Sequence, residues 1–146
     1  MSEIFAQILK DRGLDEDFLY PKYENLFDPF EMIGVEKAVE RIEQAKDKNE
    51  KVLIFGDYDV DGVTSSTVLH TALIDFGIKE VDVILPNRFT DGYGMKDSAI
   101  EKIQASGATL VITVDNGSGS GDTIQKLKDL GIETIVTDHH EIPHRP

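Results

Sequence analysis

The 146 residues amount to about one ordinary domain, and a 40% hydrophobic content is enough to bury a core. The chain has no cysteine, which excludes disulfides, thiolate zinc sites and cysteine nucleophiles. Its 28 Asp and Glu against 15 Lys and Arg, net -13, exclude a surface that holds nucleic-acid phosphates indiscriminately, though a bound cation reverses the field locally.

In chain order, residues 3–12 read as a short helix stopped near Gly13. Asp15, Glu16 and Asp17 lead into Phe18-Leu19, and Pro21 stops any helix there. The stretch Leu26-Phe27-Asp28-Pro29-Phe30 is apolar and Pro-interrupted, and is expected to be a tie on the body rather than a regular element. Val35, Ala38, Val39, Ile42 and Ala45 recur at helical spacing, so 35–48 is a predicted helix. From Lys51 the rhythm changes. Apolar runs at 52–55, 81–85, 109–114 and 132–137 read as strands, and one-faced segments at 63–76, 96–106 and 122–130 read as helices. That alternation predicts an α/β fold, a mostly parallel sheet with crossover helices, preceded by a helical N-terminal extension. The expected division is 1–50 for the extension and 51–146 for the sheet domain. No apolar run approaches the roughly 18 residues of a membrane span. Met1-Ser2-Glu3-Ile4 lacks the start of a signal peptide, so a cytoplasmic location is expected.

Chemistry gathers where the strands end. Asp57, Asp59 and Asp61, bounded by Gly56 and Gly62, follow the first strand. If extended, they point the same way and repel one another unless a cation offsets them; a solvated acidic turn is the bland alternative. Asn87 and Arg88, then Asp91-Gly92-Tyr93-Gly94, follow the second strand, Asp115-Asn116-Gly117 the third, and Asp138-His139-His140 the fourth. In an open parallel sheet these places share one rim, where ligands bind. Oxygen and imidazole donors without sulfur suit Mn²⁺ or Mg²⁺. Two such ions held a few ångströms apart would clamp a phosphoryl oxygen and activate water, with Arg88 gripping a phosphate. Taken singly, Asp115-Asn116-Gly117 also reads as a turn and Arg88 as a structural ion-pair partner. His70 reads as packed on its helix, His144 as a tail residue, and Lys126 and Lys128 as a solvated face. Gly117-Ser118-Gly119-Ser120-Gly121 reads first as a flexible turn and second as a phosphate cradle.

In combination, Gly56-Asp57-Tyr58-Asp59-Val60-Asp61-Gly62, Asp115-Asn116-Gly117 and Asp138-His139-His140 resemble the first three motifs of the DHH phosphoesterases, nearest the RecJ-like single-stranded-DNA exonuclease branch. The likeness extends through Phe18-Leu19-Tyr20-Pro21, Phe27-Asp28-Pro29-Phe30, Pro86-Asn87-Arg88-Phe89 and Gly92-Tyr93-Gly94, and so over nearly the whole chain. It implies Mn²⁺- or Mg²⁺-dependent, 5′-to-3′ degradation of single-stranded DNA in repair and recombination. Asp59 and Asp61 would be metal ligands, with Asp57 a ligand or directly behind them, and Asp115 would bridge the ions. His139 and His140 would bind metal or contact the scissile phosphate, Asp138 would orient a histidine, and Asn87 and Arg88 would sit near the substrate.

The family carries a further metal-binding Asp downstream of the histidines, then DHHA1 and OB-fold domains, none of which lies within these residues. The chain is therefore expected to be the N-terminal part of a longer enzyme. The Gly-Ser run after Asp115-Asn116-Gly117 also departs from the family's more apolar continuation. Two other readings remain: a DHH small-nucleotide phosphodiesterase or pyrophosphatase, and a non-catalytic fragment that keeps the fold.

Overall fold

The structure, a computed structural model, describes residues 2–141. The chain divides into two compact units, Met1–Glu36 and Lys37–Pro146.

The first unit is built from short pieces, three of them started by a local side-chain oxygen. Helix α1 (Glu3–Asp11) starts on Ser2, whose hydroxyl accepts the Phe5 N–H at 3.3 Å. Helix α2 (Glu16–Leu19) follows Asp15, whose carboxylate accepts the Asp17 N–H at 3.0 Å. Two 3₁₀ turns, Tyr23–Asn25 and Pro29–Glu31, come next. The second is capped by Asp28 and opens on Pro29, so the stretch expected to be irregular is turned by its own Asp-Pro pair. Leu26, Phe27 and Phe30 are exposed.

Helix α3 (Val35–Asp47) leads into the sheet unit. There β1 (Val52–Phe55), α4 (Val60–Phe76), β2 (Val81–Ile84), α5 (Ser98–Ser106), β3 (Leu110–Val114), α6 (Gly121–Asp129) and β4 (Glu133–Thr137) follow in order. The four strands form one parallel sheet in the order β2-β1-β3-β4, with Val52 opposite Val81 and Leu110, and Leu110 opposite Glu133. The central strands β1 and β3 are buried along their whole length, as near-continuous apolar runs should be.

Alternation along those strands builds two cores. Leu53, Phe55 and Val111 pack with Met95, Ala99 and Ile103 of the α5 region and with Leu127 of α6. Val52, Ile54, Leu110, Ile112 and Val114 pack with Ala45 of α3 and Leu73 of α4. Helices thus cover both faces, as the sequence pattern predicts. Among the described residues no helix is long and apolar enough to cross a membrane.

Arg41 of α3 ties the far end of the sheet together. Its guanidinium donates to Glu50 at 2.6 Å and to Glu133, and Glu50 also accepts the Thr109 hydroxyl at 2.7 Å.

Candidate metal centre

The strand order fixes where a site can open. The connection after β1 goes to α4 on one face, and the connection after β3 goes to α6 on the other. The carboxyl ends of these neighbouring strands therefore border an uncovered crevice. Asn116 holds its two banks together. It is fully buried, and its amide donates to the Phe55 carbonyl at 3.1 Å and to the Val114 carbonyl at 2.9 Å.

Into this crevice the chain puts carboxylates. Asp57 leaves β1 with 2% of its surface exposed, and its Oδ1 has no hydrogen-bond partner among the described residues. Asp59 stands at the entry to α4, where its carboxylate accepts the N–H groups of Asp61 (3.0 Å) and Gly62 (3.1 Å). The Gly62 N–H, opposed by burial and aided by the Asp61 N–H and the Arg88 charge, holds the Asp59 carboxyl below its ordinary range.

Gly62 makes this arrangement possible: a Cβ there would lie 2.3 Å from the Asp57 carbonyl oxygen. The acidic triplet is not the extended segment expected from sequence. The backbone turns helical from Val60, because Asp59 is a good N-cap, and Asp61 falls on the exposed first turn of α4.

Asp115 leaves β3 with φ +62°, a left-handed conformation that Asp tolerates better than most residues. Its Oδ1 lies 2.9 Å from His139 Nε2. Burial pushes the Asp115 carboxyl up and the His139 hydrogen bond pulls it down; the Asp59 charge adds to the rise, and the net shift is upward.

One ligand atom each from Asp57, Asp59 and Asp115 lie within 4.8 Å of one another, and the same holds for Asp115, His139 and His140. Asp115 belongs to both groups, and Asp61 to neither.

Asp138 supports the histidine side. It accepts the Ser118 N–H at 3.0 Å and the His140 N–H at 3.1 Å, and its Oδ1 lies 2.7 Å from His140 Nδ1. Burial alone would push this carboxyl up, but the Ser118 and His140 contacts outweigh it and bring it down to about 2. Asp138 is thus an acceptor at neutral pH, and it raises the His140 imidazole in return. The Gly-Ser run is the turn preferred from sequence, closed by the Ser120 N–H on the Gly117 carbonyl at 2.9 Å.

From the β2 side, Arg88 lies over the Tyr58 ring, 4.6 Å from its centroid. Asn87 shapes its own loop. Its Oδ1 accepts the Phe89 N–H at 2.9 Å, and its backbone N–H donates to Asp91 at 2.9 Å. His70 is half-buried on α4, in keeping with a packed helix histidine.

The sequence reading names no role for Tyr93, whose hydroxyl lies 3.0 Å from His140 Nδ1. Burial and the carboxylates of Asp138, Asp57, Asp115 and Asp59 all push this phenol up, so it stays protonated. The flanking Gly92 and Gly94 were the available signal.

An open parallel sheet with Asp and His gathered where its connections diverge has the class of an α/β fold with a candidate divalent-cation site at its switch point. The model of the DHH family, N-terminal domain, matches residues 51–146, and the chain belongs to that family.

Its sequence is 40% identical over 146 residues to the single-stranded-DNA-specific exonuclease RecJ of Bacillus subtilis, covering 97% of this chain and 18% of that protein. It is 41% identical over 110 residues to the RecJ of Escherichia coli, covering 75% of this chain and 19% of that one. The fold matches the crystal structure of RecJ from Thermus thermophilus in complex with Mn²⁺, with a TM-score of 0.75 and 26% identity over 94% of this chain and 19% of that one. The chain thus spans about a fifth of the length of these relatives.

Proposed function

We propose that the chain carries the metal-holding rim of a single-stranded-DNA exonuclease that hydrolyses phosphodiester bonds from the 5′ end, in DNA repair and recombination. In this reading residues 51–146 form the N-terminal part of the catalytic domain, behind a helical extension at 1–50, and the protein works in the cytoplasm. The relatives are several times longer. We infer that a further Asp ligand, a DHHA1 domain and an OB-fold domain of the same polypeptide complete the site and the grip on DNA.

One observation carries the proposal: two groups of candidate ligands share Asp115 at the crevice between β1 and β3. The residues fit divalent cations. The buried Asp57 Oδ1, without a hydrogen-bond partner among the described residues, lacks the charge compensation a cation would give, and a donor set of carboxylates and imidazoles without thiolate suits Mn²⁺ or Mg²⁺.

Asp57, Asp59 and Asp115 would hold one ion, and Asp115, His139 and His140 the other, with Asp61 reaching in from the first turn of α4. When bound, such a pair supplies Lewis-acid polarisation of the scissile phosphoryl group and an activated attacking water. The chain's own residues set the stage. Asp138 accepts a hydrogen bond from the Nδ1–H of His140, which leaves Nε2 as the ring atom that would face a cation. Asp115, held in its left-handed turn, would contribute to both groups. Arg88, steadied on Tyr58, offers its fork to a backbone phosphate, and Asn87 sets the loop that carries it.

Two measurements test this. Titrating Mn²⁺ while following side-chain resonances should perturb Asp59, Asp115 and His139; no change at any of them removes the metal site. On the full-length protein, single-stranded DNA should be hydrolysed in preference to short RNA and pyrophosphate. Preference for pyrophosphate would move the chain to another branch of the family.

A further inference from the structure

We propose that Phe89 stacks on a nucleobase of single-stranded DNA, on the same strand whose phosphate Arg88 grips. This rests on the reading of the chain as part of a single-stranded-DNA exonuclease, and it adds to that reading a hold on the bases that ignores their order.

The loop after β2 stands at the rim. Arg88 lies over the Tyr58 ring, 4.6 Å from its centroid, and its charge acts on the Asp59 carboxylate. Phe89 is the next residue, with its Cα about 3.8 Å further along the chain. Three aromatic rings belong to this part of the rim. Tyr58 has one face under Arg88, and Tyr93 meets His140 edge to face. Phe89 is 93% exposed, so both of its faces are open.

A lone exposed phenylalanine is ordinary on a protein surface, but this one is carried on a fastened backbone. Asn87 Oδ1 accepts the Phe89 N–H at 2.9 Å, and the Asn87 carbonyl accepts the N–H groups of Asp91 at 2.9 Å and of Thr90 and Gly92 at 3.3 Å. Asp91 in turn accepts the Asn87 N–H at 2.9 Å and pairs with Lys102 at 3.1 Å. A ring presented this way gives up little freedom when a flat partner settles on it.

The charge beside the ring has the sign a DNA strand needs. Among the described residues neither Arg88 nor Lys96 is ion-paired. Lys96 folds back onto the same loop, where its Nζ lies 2.6 Å from the position a Cβ on Gly92 would take. In a chain of net charge -13, a loop that offers a guanidinium, an open ring and an ammonium matches the alternation of phosphate and base. Every base has a π-face, so the contact serves any sequence, whereas hydrogen bonds to base edges would select one.

The test uses the full-length protein with Mn²⁺ and 3′-labelled oligothymidylates, intact or carrying one abasic site moved along the first few nucleotides from the 5′ end. Phe89→Ala should raise KM for the intact strand by about 5- to 150-fold, with a smaller change in kcat. Phe89→Trp keeps a flat ring and should stay within a few-fold of the parent. Phe89→Leu is apolar without a π-face and should behave like Phe89→Ala. In the parent one abasic position should cost a similar factor, and in Phe89→Ala the strand abasic at that position should be used as well as the intact one. Equal abasic penalties in the parent and Phe89→Ala at every position overturn the proposal. So does a Phe89→Ala loss that comes with a lowered melting temperature and is restored by Phe89→Leu, because the ring then packs against another part of the polypeptide. A parent that degrades no single-stranded DNA removes the exonuclease reading itself, and the stacking role with it.

Discussion

Replacing Asp115 by Asn should stabilise the metal-free chain and remove its response to Mn²⁺. Asp57 and Asp115 are both buried, and their candidate ligand oxygens lie within 4.8 Å. Two unit charges at that spacing repel by about 3 kcal/mol at an effective dielectric near 20. Solvent at the rim and the His139 hydrogen bond offset part of this, leaving about 1–2 kcal/mol to be recovered when one charge is removed. The substitution isolates charge from shape. Asn has the same outline, adopts the left-handed turn at φ +62° as readily, and its oxygen can still accept from His139. Urea unfolding in a chelating buffer should therefore place Asp115→Asn about 1–2 kcal/mol above the parent. In Mn²⁺ at a hundred times the dissociation constant the parent should gain about 2.7 kcal/mol, reversing the order, while the variant gains little. A variant less stable than the parent in chelator, or an equal gain for both in Mn²⁺, would refute the reasoning.

Gly62→Ala puts a methyl 2.3 Å from the Asp57 carbonyl oxygen, which is backbone and cannot swing aside. A loss of about 1–3 kcal/mol is expected by thermal unfolding, and an unchanged melting point would show that the α4 entry is looser than described. Asn116→Ala removes the donors to the Phe55 and Val114 carbonyls and should cost about 1–3 kcal/mol in urea. Acid should weaken the far end of the sheet. Burial pushes the Glu50 carboxyl up, but the Thr109 hydroxyl and the Arg41 guanidinium pull it down further, for a net depression. A carboxyl depressed in the folded state stabilises above its unfolded value, about 4.3, and that contribution is lost as pH falls through the folded one. Glu50→Gln should therefore show a shallower fall in urea midpoint below about pH 4.3 than the parent; parallel curves would remove Glu50 from the account.

The strands were legible because β1 and β3 are buried on both faces and must be continuous apolar runs, as Val52 to Phe55 and Leu110 to Val114 are. Their register and the order β2-β1-β3-β4 were not, because pairing is a long-range choice that the local pattern does not encode. Helix α4 begins three residues earlier than its apolar period suggests. Asp59 acts as an N-cap there, which competes with its reading as one of three alternating ligands. Asn116 looked like a turn residue and is a buried staple; Tyr93 looked like part of a polar loop and reaches His140. Both depend on partners 47 or more residues away in sequence, which spacing alone does not reveal.

Like charges so close need a reason to stay together, and the architecture supplies it. The crevice lies where α4 and α6 diverge to opposite faces, with the N–H groups at the start of α4 meeting the Asp59 carboxylate alone of the three. On either side the sheet is fastened independently of them, by two apolar cores and by the amide of Asn116. The repulsion among Asp57, Asp59 and Asp115 therefore cannot be relieved by a small local shift without pulling on those fastenings. On the proposed reading a rim fastened in this way suits a cation, and it makes the same demand of sequence: glycine at 62 to let α4 approach, and a residue at 115 that accepts a left-handed turn. Substitutions that loosen those two positions should thus weaken metal uptake even when every ligand is retained.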